Sequence, residues 1–230
     1  MADIKLSLVV VAHPDDEVLG FGGAGAKLVS RGEIVQPIIL CGNVDARTLR
    51  PTDEQLFADM TAANTMLGFA PPVLGGFPNI RMNTVPHLEV VQFIEAQIAR
   101  FHPTRIFTHH PSDLNNDHTQ IAHACLAASR LFQRRSDIPA PRSLHLGEIP
   151  SSTDWAFGGV RPQFTPNTYV EIGDYLERKI AAPGCYSNVM RDFPHPRSPE
   201  VLRGLAAVRG GESGLHYAEA FQTVFSTELG

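Results

Sequence analysis

Lys5-Leu6-Ser7-Leu8-Val9-Val10-Val11-Ala12 runs directly into His13-Pro14-Asp15-Asp16-Glu17, and the fold is read outward from this junction. The first part is a continuous, β-branched apolar run, which suits a strand buried on both faces. A helical pattern follows over Glu17–Ser30 and stops near Arg31-Gly32, and Ile34–Cys41 is a second apolar strand. Strand, helix and strand within about forty residues predict a right-handed crossover and a parallel pair. A histidine and several carboxylates stand where the first strand ends. In open α/β sheets that edge is where ligands bind, because loops converge there on rigid strands.

The same plan recurs downstream. Asp53–Leu67 reads as a helix with Gly68 as its stop, Val73–Leu74 as a short strand, and His87–Arg100 as an amphipathic helix broken at Pro103. Arg105–Thr108 predicts a strand that delivers His109-His110-Pro111. After the polar loop Ser112–Asp117 comes an Ala-rich helix, Thr119–Phe132. Strands are expected at Ser143–Ile149 and Thr168–Ile172, and helices at Asp174–Ala182 and Glu200–Arg209. Irregular loops separate these at Pro150–Pro166 and Arg191–Pro199, and an aromatic-rich segment at Tyr217–Phe225 closes the chain. No internal repeat interrupts this order.

With 230 residues, 43% of them hydrophobic, the chain can bury one substantial core, so a single α/β domain over 1–230 is expected. The 19 Lys and Arg are scattered and the net charge is −5, so no basic stripe marks a nucleic-acid surface and small molecules are the expected partners. Cys41, Cys125 and Cys185 are odd in number and far apart, which excludes a disulfide framework and a CxxC metal clip and fits a reducing cytoplasm. No apolar stretch approaches the roughly 20 residues of a bilayer span, and charged residues follow Leu6–Ala12 where an export signal would carry a cleavage site. A homo-oligomer is left open.

Two clusters carry chemistry. His13 and Asp16 flank a proline turn and can offer one imidazole nitrogen and one carboxylate oxygen to a cation. The second cluster runs from His109 to His118, also after a parallel strand, so both belong to one edge of the sheet. Two histidines and one carboxylate, with a position left for water, form the ligand set of a catalytic zinc site, and His13, Asp16 and His118 are the expected ligands. Zinc is the expected cofactor, although a mixed nitrogen and oxygen site also accepts other divalent transition metals. The ion would lower the pKa of its water toward ~7. Asp15, held by the adjacent helix N-terminus, is placed to take the water's proton, and Asp117 to orient a histidine. Acids in a first helical turn are ordinarily caps. A histidine at the end of a buried strand has no capping use, and that tips the reading toward a site.

Ala12-His13-Pro14-Asp15-Asp16-Glu17, with Leu19-Gly20 and Gly22-Gly23 after it, closely resembles the first signature of the LmbE-like, or PIG-L, deacetylase family. His110-Pro111, Asp113, Asn115 and Asp117-His118 resemble its second signature, and Arg209 to Gly214 with Tyr217 to Phe221 its C-terminal region. The resemblance implies a Rossmann-like three-layer α/β/α sandwich with a mostly parallel sheet. It implies a zinc-dependent hydrolase that removes an N-acyl group, usually acetyl, from an amino sugar or related glycoside. It assigns the metal to His13, Asp16 and His118, and it selects Asp15 over Glu17 as the base. Many members carry a histidine where this chain has Asn115. An asparagine can donate to a developing oxyanion but cannot deliver a proton to the leaving amine, so Asp15 is expected to serve in both directions, with His110 and His195 as other proton sources.

Asn43, Asp45 and Arg47 follow the second strand, while Arg81 and Arg197 lie in irregular segments that could cover the site. Together with His110 and His195 these arginines are the expected substrate contacts. Two other classes compete. Gly20, Gly22 and Gly25 match a dinucleotide fingerprint with Asp45 about 20 residues on, which would make an oxidoreductase. These glycines begin eight residues after the strand ends, too late for the turn that binds pyrophosphate. A non-catalytic, metal-stabilised sugar-binding protein is the second, but a structural zinc has four protein ligands and only three are found.

Overall fold

The computed structural model of the protein describes residues 5–42, 51–158 and 162–227. The opening strand is β1 (Leu6–Val11), followed by α1 (Asp16–Ser30) and β2 (Ile34–Ile39). Its alternation sorts the core into two. Val9 and Val11 pack with α1 residues such as Leu19 and Phe21, whereas Leu8, Val10 and Ala12 pack on the other face with Ile94, Ile98 and Ile121. Both faces are therefore covered, as a continuous apolar strand requires.

Further along come α2 (Asp53–Leu67), β3 (Val73–Leu74), α3 (His87–Phe101), β4 (Arg105–His109), α4 (Asn116–Ala128) and β5 (Ser143–Gly147). The chain continues through β6 (Thr168–Glu171), α5 (Leu176–Ala181), α6 (Pro199–Ser213) and β7 (Ala218–Ser226). The seven strands form one sheet in the order β3-β2-β1-β4-β5-β7-β6. Strands β1 to β5 pair in parallel, and β7 runs antiparallel to both β5 and β6. Residues of α1, α2, α5 and α6 join one core and residues of α3 and α4 the other. This is the expected α/β/α sandwich.

The connections leave β1 toward β2 on one side, and the chain returns to place β4 on the other side of β1. That reversal opens a crevice at the carboxyl ends of β1 and β4. These are the two strands that lead into His13 and into the His109–His118 segment, so topology alone brings the two clusters together.

Helix ends show where local signals suffice. Thr52 caps α2 by accepting from Gln55 N–H at 3.1 Å, and Gly68 ends it with φ 76°, the stop expected from the sequence. By contrast α4 begins at Asn116, three residues before the expected start, because the Asn115 side chain accepts the Asp117 N–H at 2.9 Å and caps the helix. Asp117 and His118 therefore sit in a first helical turn and not in a loop. The Tyr217–Phe225 segment supplies β7, whose pairing between β5 and β6 depends on distant partners.

Helix α1 lies close against its neighbours because its glycines leave room. A Cβ on Gly25 would collide with the Phe69 ring, and one on Gly20 would meet Ile149 at 2.5 Å. These residues are buried packing positions, which removes the dinucleotide reading. The helix is also crossed by a buried ion pair. Glu219 accepts the N–H groups of Gly23 and Ala24 at 2.8 and 2.6 Å and pairs with Lys179, whose Nζ donates to Leu19 O at 2.8 Å.

On the α1 face, His145 of β5 stacks on Phe107, with Nδ1 2.9 Å from the Thr223 hydroxyl and Nε2 2.8 Å from that of Ser143. Burial, and secondarily the Arg105 charge, push its pKa down to about 4. In the unfolded chain it titrates near ~6.5. Between these values the unfolded state binds a proton that the folded state refuses, so the contribution is intact above pH ~6.5 and is lost as pH falls toward 4. Thermal melts from pH 7 to 4 should show a smaller loss of Tm in His145→Gln than in the wild type. Parallel losses would contradict this assignment.

Candidate metal centre and cavity

The carboxyl end of β1 turns sharply at Pro14, and Asp16 opens α1. His13 N–H donates to Asp16 Oδ2 at 2.9 Å, which folds the two side chains toward one point. His118 approaches from the first turn of α4. The facing atoms are His13 Nδ1, Asp16 Oδ2 and His118 Nε2. They lie 3.3 Å (His13 to Asp16), 3.2 Å (His118 to Asp16) and 3.3 Å (His13 to His118) apart. All three residues are buried.

This triangle is the size a cation demands. Ligands held about 2.0–2.1 Å from a tetrahedral zinc stand about 3.3 Å from one another. A carboxylate stands beside each remaining ring nitrogen. His13 Nε2 lies 3.0 Å from Asp117 Oδ2, and His118 Nδ1 lies 3.2 Å from Asp113 Oδ2. A carboxylate behind each imidazole fixes its tautomer and directs the free lone pair forward. Asp117 is itself held by the N–H groups of Ile80 and Met82 at 2.6 and 3.0 Å. Asp113 accepts from Asn115 N–H at 2.8 Å, Thr153 Oγ1 at 2.7 Å and the Ser152 hydroxyl.

Electrostatics point the same way. Burial opposes charge on Asp16, Asp113 and Asp117, yet neighbouring histidines and hydrogen bonds outweigh it and hold all three below the usual carboxylate range. Burial likewise opposes a proton on His118, but Asp16 and Asp113 raise its pKa to about 10. His13 is raised in the same sense by Asp117 and Asp16, against burial. The carboxylates thus favour positive charge at this point, whether as histidine protons or as a bound cation.

His109, the last residue of β4, stacks on His118 with ring centroids 3.8 Å apart. Its Nε2 accepts the Ala12 N–H at 2.8 Å, so that lone pair is not available to a metal. Burial first, and the His118 charge second, drive its pKa down to about 3 and keep it neutral. It serves as the flat wall against which His118 is set.

The centre opens into a cavity of about 530 Å³. Asp15, Asn115 and Arg197 line it, as expected of site residues from the sequence. Asp15 has φ 110° and ψ −29°, a conformation costing of order 1–3 kcal/mol for a residue with a side chain. Its carboxylate makes no capping bond to the helix. Arg197 Nη1 reaches Asp15 Oδ2 at 3.2 Å instead, and Arg197 Nε donates to the Ser151 hydroxyl at 2.8 Å. The expected hold by the helix N-terminus is thus corrected to a hold by arginine.

Other residues expected at the site stand apart from this cavity. His110 has both ring nitrogens engaged, with Nδ1 accepting Ser112 N–H and Nε2 3.1 Å from Gln222 Oε1, and it lines a separate cavity beside Phe164. His195 lies behind Arg197, accepting its N–H and packing on Trp155, and does not line the metal cavity. Arg81 is exposed, and the cavity is lined by its neighbours Asn79 and Ile80. Asn43, Asp45 and Arg47 lie outside the described residues. Glu17 is fully buried and absent from the cavity lining, so geometry now separates it from Asp15.

Several lining residues carry no mark in the sequence: Ser151 and Ser152, the stretch Ser187–Val189, and Arg191. Asp113 does carry one, as a carboxylate within the second cluster. The Ser187 stretch gives no local signal, since it is carried to the site by Asp59, which accepts Ser187 N–H at 2.8 Å, and by buried Tyr186.

An α/β sandwich with a candidate His-Asp-His centre at a sheet switch point, and the carboxylate of Asp15 beside it, has the parts of a metal-assisted hydrolytic site. Residues 8–129 match the family model PIG-L, GlcNAc-PI de-N-acetylase. The chain belongs to this family, whose chemistry is N-deacetylation. Among solved structures it is similar to a conserved protein of Thermus thermophilus, at 24% identity over 97% of this chain and 96% of that one, TM-score 0.78. It is similar to N,N'-diacetylchitobiose deacetylase of Pyrococcus horikoshii, at 20% identity over 96% and 84%, TM-score 0.76. It is also similar to the 4-carboxy-2-hydroxymuconate hydratase GalB of Pseudomonas putida, at 21% identity over 99% of each chain, TM-score 0.76. A deacetylase and a hydratase thus share the fold, so the fold alone does not choose the reaction. No curated protein matched.

Proposed function

We propose that the protein is a zinc-dependent hydrolase that removes an N-acetyl group from an amino sugar or related glycoside. The observation that carries this reading is the triangle of His13 Nδ1, Asp16 Oδ2 and His118 Nε2, with edges of 3.2–3.3 Å, at the foot of a cavity walled by Asp15. Three ligands and an open side are the pattern of a catalytic zinc, which argues against the non-catalytic sugar-binding alternative. When bound, the ion supplies hydroxide near neutral pH and polarises the acyl oxygen.

The chain's own residues do the rest. Asp15 accepts the proton of the attacking water and returns it to the departing nitrogen, so that water adds to the acyl carbon, the C–N bond breaks, and acetate and an amine leave. Asn115 Oδ1 is fixed by its helix-capping bond. Its Nδ2 donor is thereby oriented, and it can stabilise the oxyanion. Arg197 holds Asp15, and Arg191, on the cavity wall, is placed to meet polar groups of the substrate. A cavity of about 530 Å³ falls in the range that encloses a ligand larger than one small ring.

Amine release from a panel of N-acetylated amino sugars and glycosides tests the reading, combined with metal analysis. Activity should vanish on chelation and return with one equivalent of zinc. Undiminished activity in the metal-stripped protein would end the proposal, as would no release from any member by the zinc-loaded chain.

A further inference from the structure

Glu17 is fully buried, it does not line the cavity at the candidate centre, and no step above uses it. Its carboxylate is nonetheless fully engaged. Oε2 accepts the backbone N–H of Asp15 at 3.0 Å, and Oε1 accepts Asn64 Nδ2–H at 3.0 Å and the Tyr186 hydroxyl. Asn64 belongs to α2, and Tyr186 directly precedes the Ser187–Val189 wall of the cavity. One side chain therefore ties together the start of α1, the helix packed beside it and the loop that faces the substrate.

The Asp15 contact is the informative one. Asp15 has φ 110°, and strained backbone persists only where its surroundings over-determine it. Its carbonyl is held from the C-terminal side, by Leu19 N–H at 3.0 Å and Val18 N–H at 3.3 Å. Its N–H is held by Glu17. Without that acceptor a buried donor would lose its bond, and the peptide would be free to turn toward an ordinary conformation, carrying the carboxylate away from the cavity.

We propose that Glu17 is a positioning residue that locks Asp15 in its left-handed conformation and so sets the base against the reacting water. This rests on the hydrolase reading above, in which Asp15 is the base. Arg197 fixes the far end of the same side chain, so Asp15 is held by an acceptor on its backbone and a cation on its carboxylate. The Tyr186 link extends the lock to the wall, making the base and the substrate surface parts of one hydrogen-bonded unit.

The test compares Glu17→Met, which keeps the bulk and removes the acceptor, with Glu17→Gln. Gln retains an oxygen for the Asp15 N–H, the one bond on which the proposal rests. Glu17→Met should lower kcat about 10- to 100-fold with KM and bound metal unchanged, whereas Glu17→Gln should stay within about threefold of the wild type. In an Asp15→Asn background Glu17→Met should add no further loss, because the residue acts through Asp15. A merely structural role would lower activity in both backgrounds.

Amide exchange of Asp15, followed by NMR, gives a readout independent of turnover. The wild-type amide should exchange slowly, and at least about 100-fold faster in Glu17→Met. If Glu17→Met fails to fold, Glu17→Asp, which shortens the reach while keeping the charge, should show the same two effects. Unchanged exchange at Asp15, or a loss of kcat that persists in the Asp15→Asn background, overturns the proposal even where the wild type hydrolyses N-acetyl sugars. Absence of all hydrolysis by the zinc-loaded wild type would overturn the catalytic reading and this role with it.

Discussion

Asp15→Asn is expected to lower kcat by about 10²–10⁴-fold, the usual worth of a positioned general base, while zinc content stays at the wild-type level. The two effects separate because Asp15 lines the cavity without belonging to the His13–Asp16–His118 triangle. Asn is the most conservative exchange here. It keeps the shape and the neutral hydrogen-bonding capacity of the side chain, and it tolerates positive φ better than most residues, so the φ of 110° at this position is no obstacle. It cannot take a proton from water. Arg197 loses its ionic partner in the variant but keeps its bond to Ser151. Steady-state kinetics with metal analysis on the same sample decides the matter. Full activity in Asp15→Asn would exclude the proton scheme, and a loss of metal would place Asp15 among the ligands.

The second large effect concerns stability. Lys179→Met should cost about 3–5 kcal/mol, because removing one partner strands the other charge in the core. Both Lys179 and Glu219 are only 6% exposed. The carboxylate left behind would still bond the Gly23 and Ala24 N–H groups but would have no cation, and Leu19 O would lose its Lys179 donor. At about 2–4 °C per kcal/mol for a chain of this size, Tm should fall by roughly 6–20 °C. Lys179→Met combined with Glu219→Gln should recover part of the loss, since the stranded charge is then gone. A double variant as unstable as the sum of the singles would show that packing, and not the ion pair, is what matters. The pair crosses the helix that begins at Asp16, so the folded fraction of Lys179→Met should still bind metal.

Much of this architecture can be read along the chain because it is local. The β1-α1-β2 unit follows from an apolar run, a helical period and a second apolar run, and α2 begins and ends on Thr52 and Gly68 by capping chemistry that needs no distant partner. The site is partly local too. His13 and Asp16 are joined by one turn, and Asp117 and His118 by another. That two such turns meet follows from parallel topology, which gathers all strand ends on one edge.

Residue type does not by itself give placement. His110, His195 and Arg81 are the kinds of residue that act on substrates, but whether a loop side chain faces a cavity depends on packing that no local pattern encodes. His110 turns instead to Gln222 of β7, a strand that in sequence is only an aromatic-rich segment. Asn115 has a second role that its chemistry at a site conceals. It is the cap that starts α4, which is why the helix begins three residues before the expected boundary.

Sequence alone determined the alternation of strands and helices and the identity of the turns bearing His13, Asp16 and His118, because these depend on periodicity and on neighbours a few residues away. Tertiary structure decided which imidazole nitrogen faces the centre, since Asp117 and Asp113 stand beside the others. It decided that Arg197, 182 residues distant, holds Asp15, and that the stretch following Tyr186 walls the cavity. Those choices rest on hydrogen bonds between segments far apart in the chain, and such bonds acquire direction only once the sheet has brought the segments together.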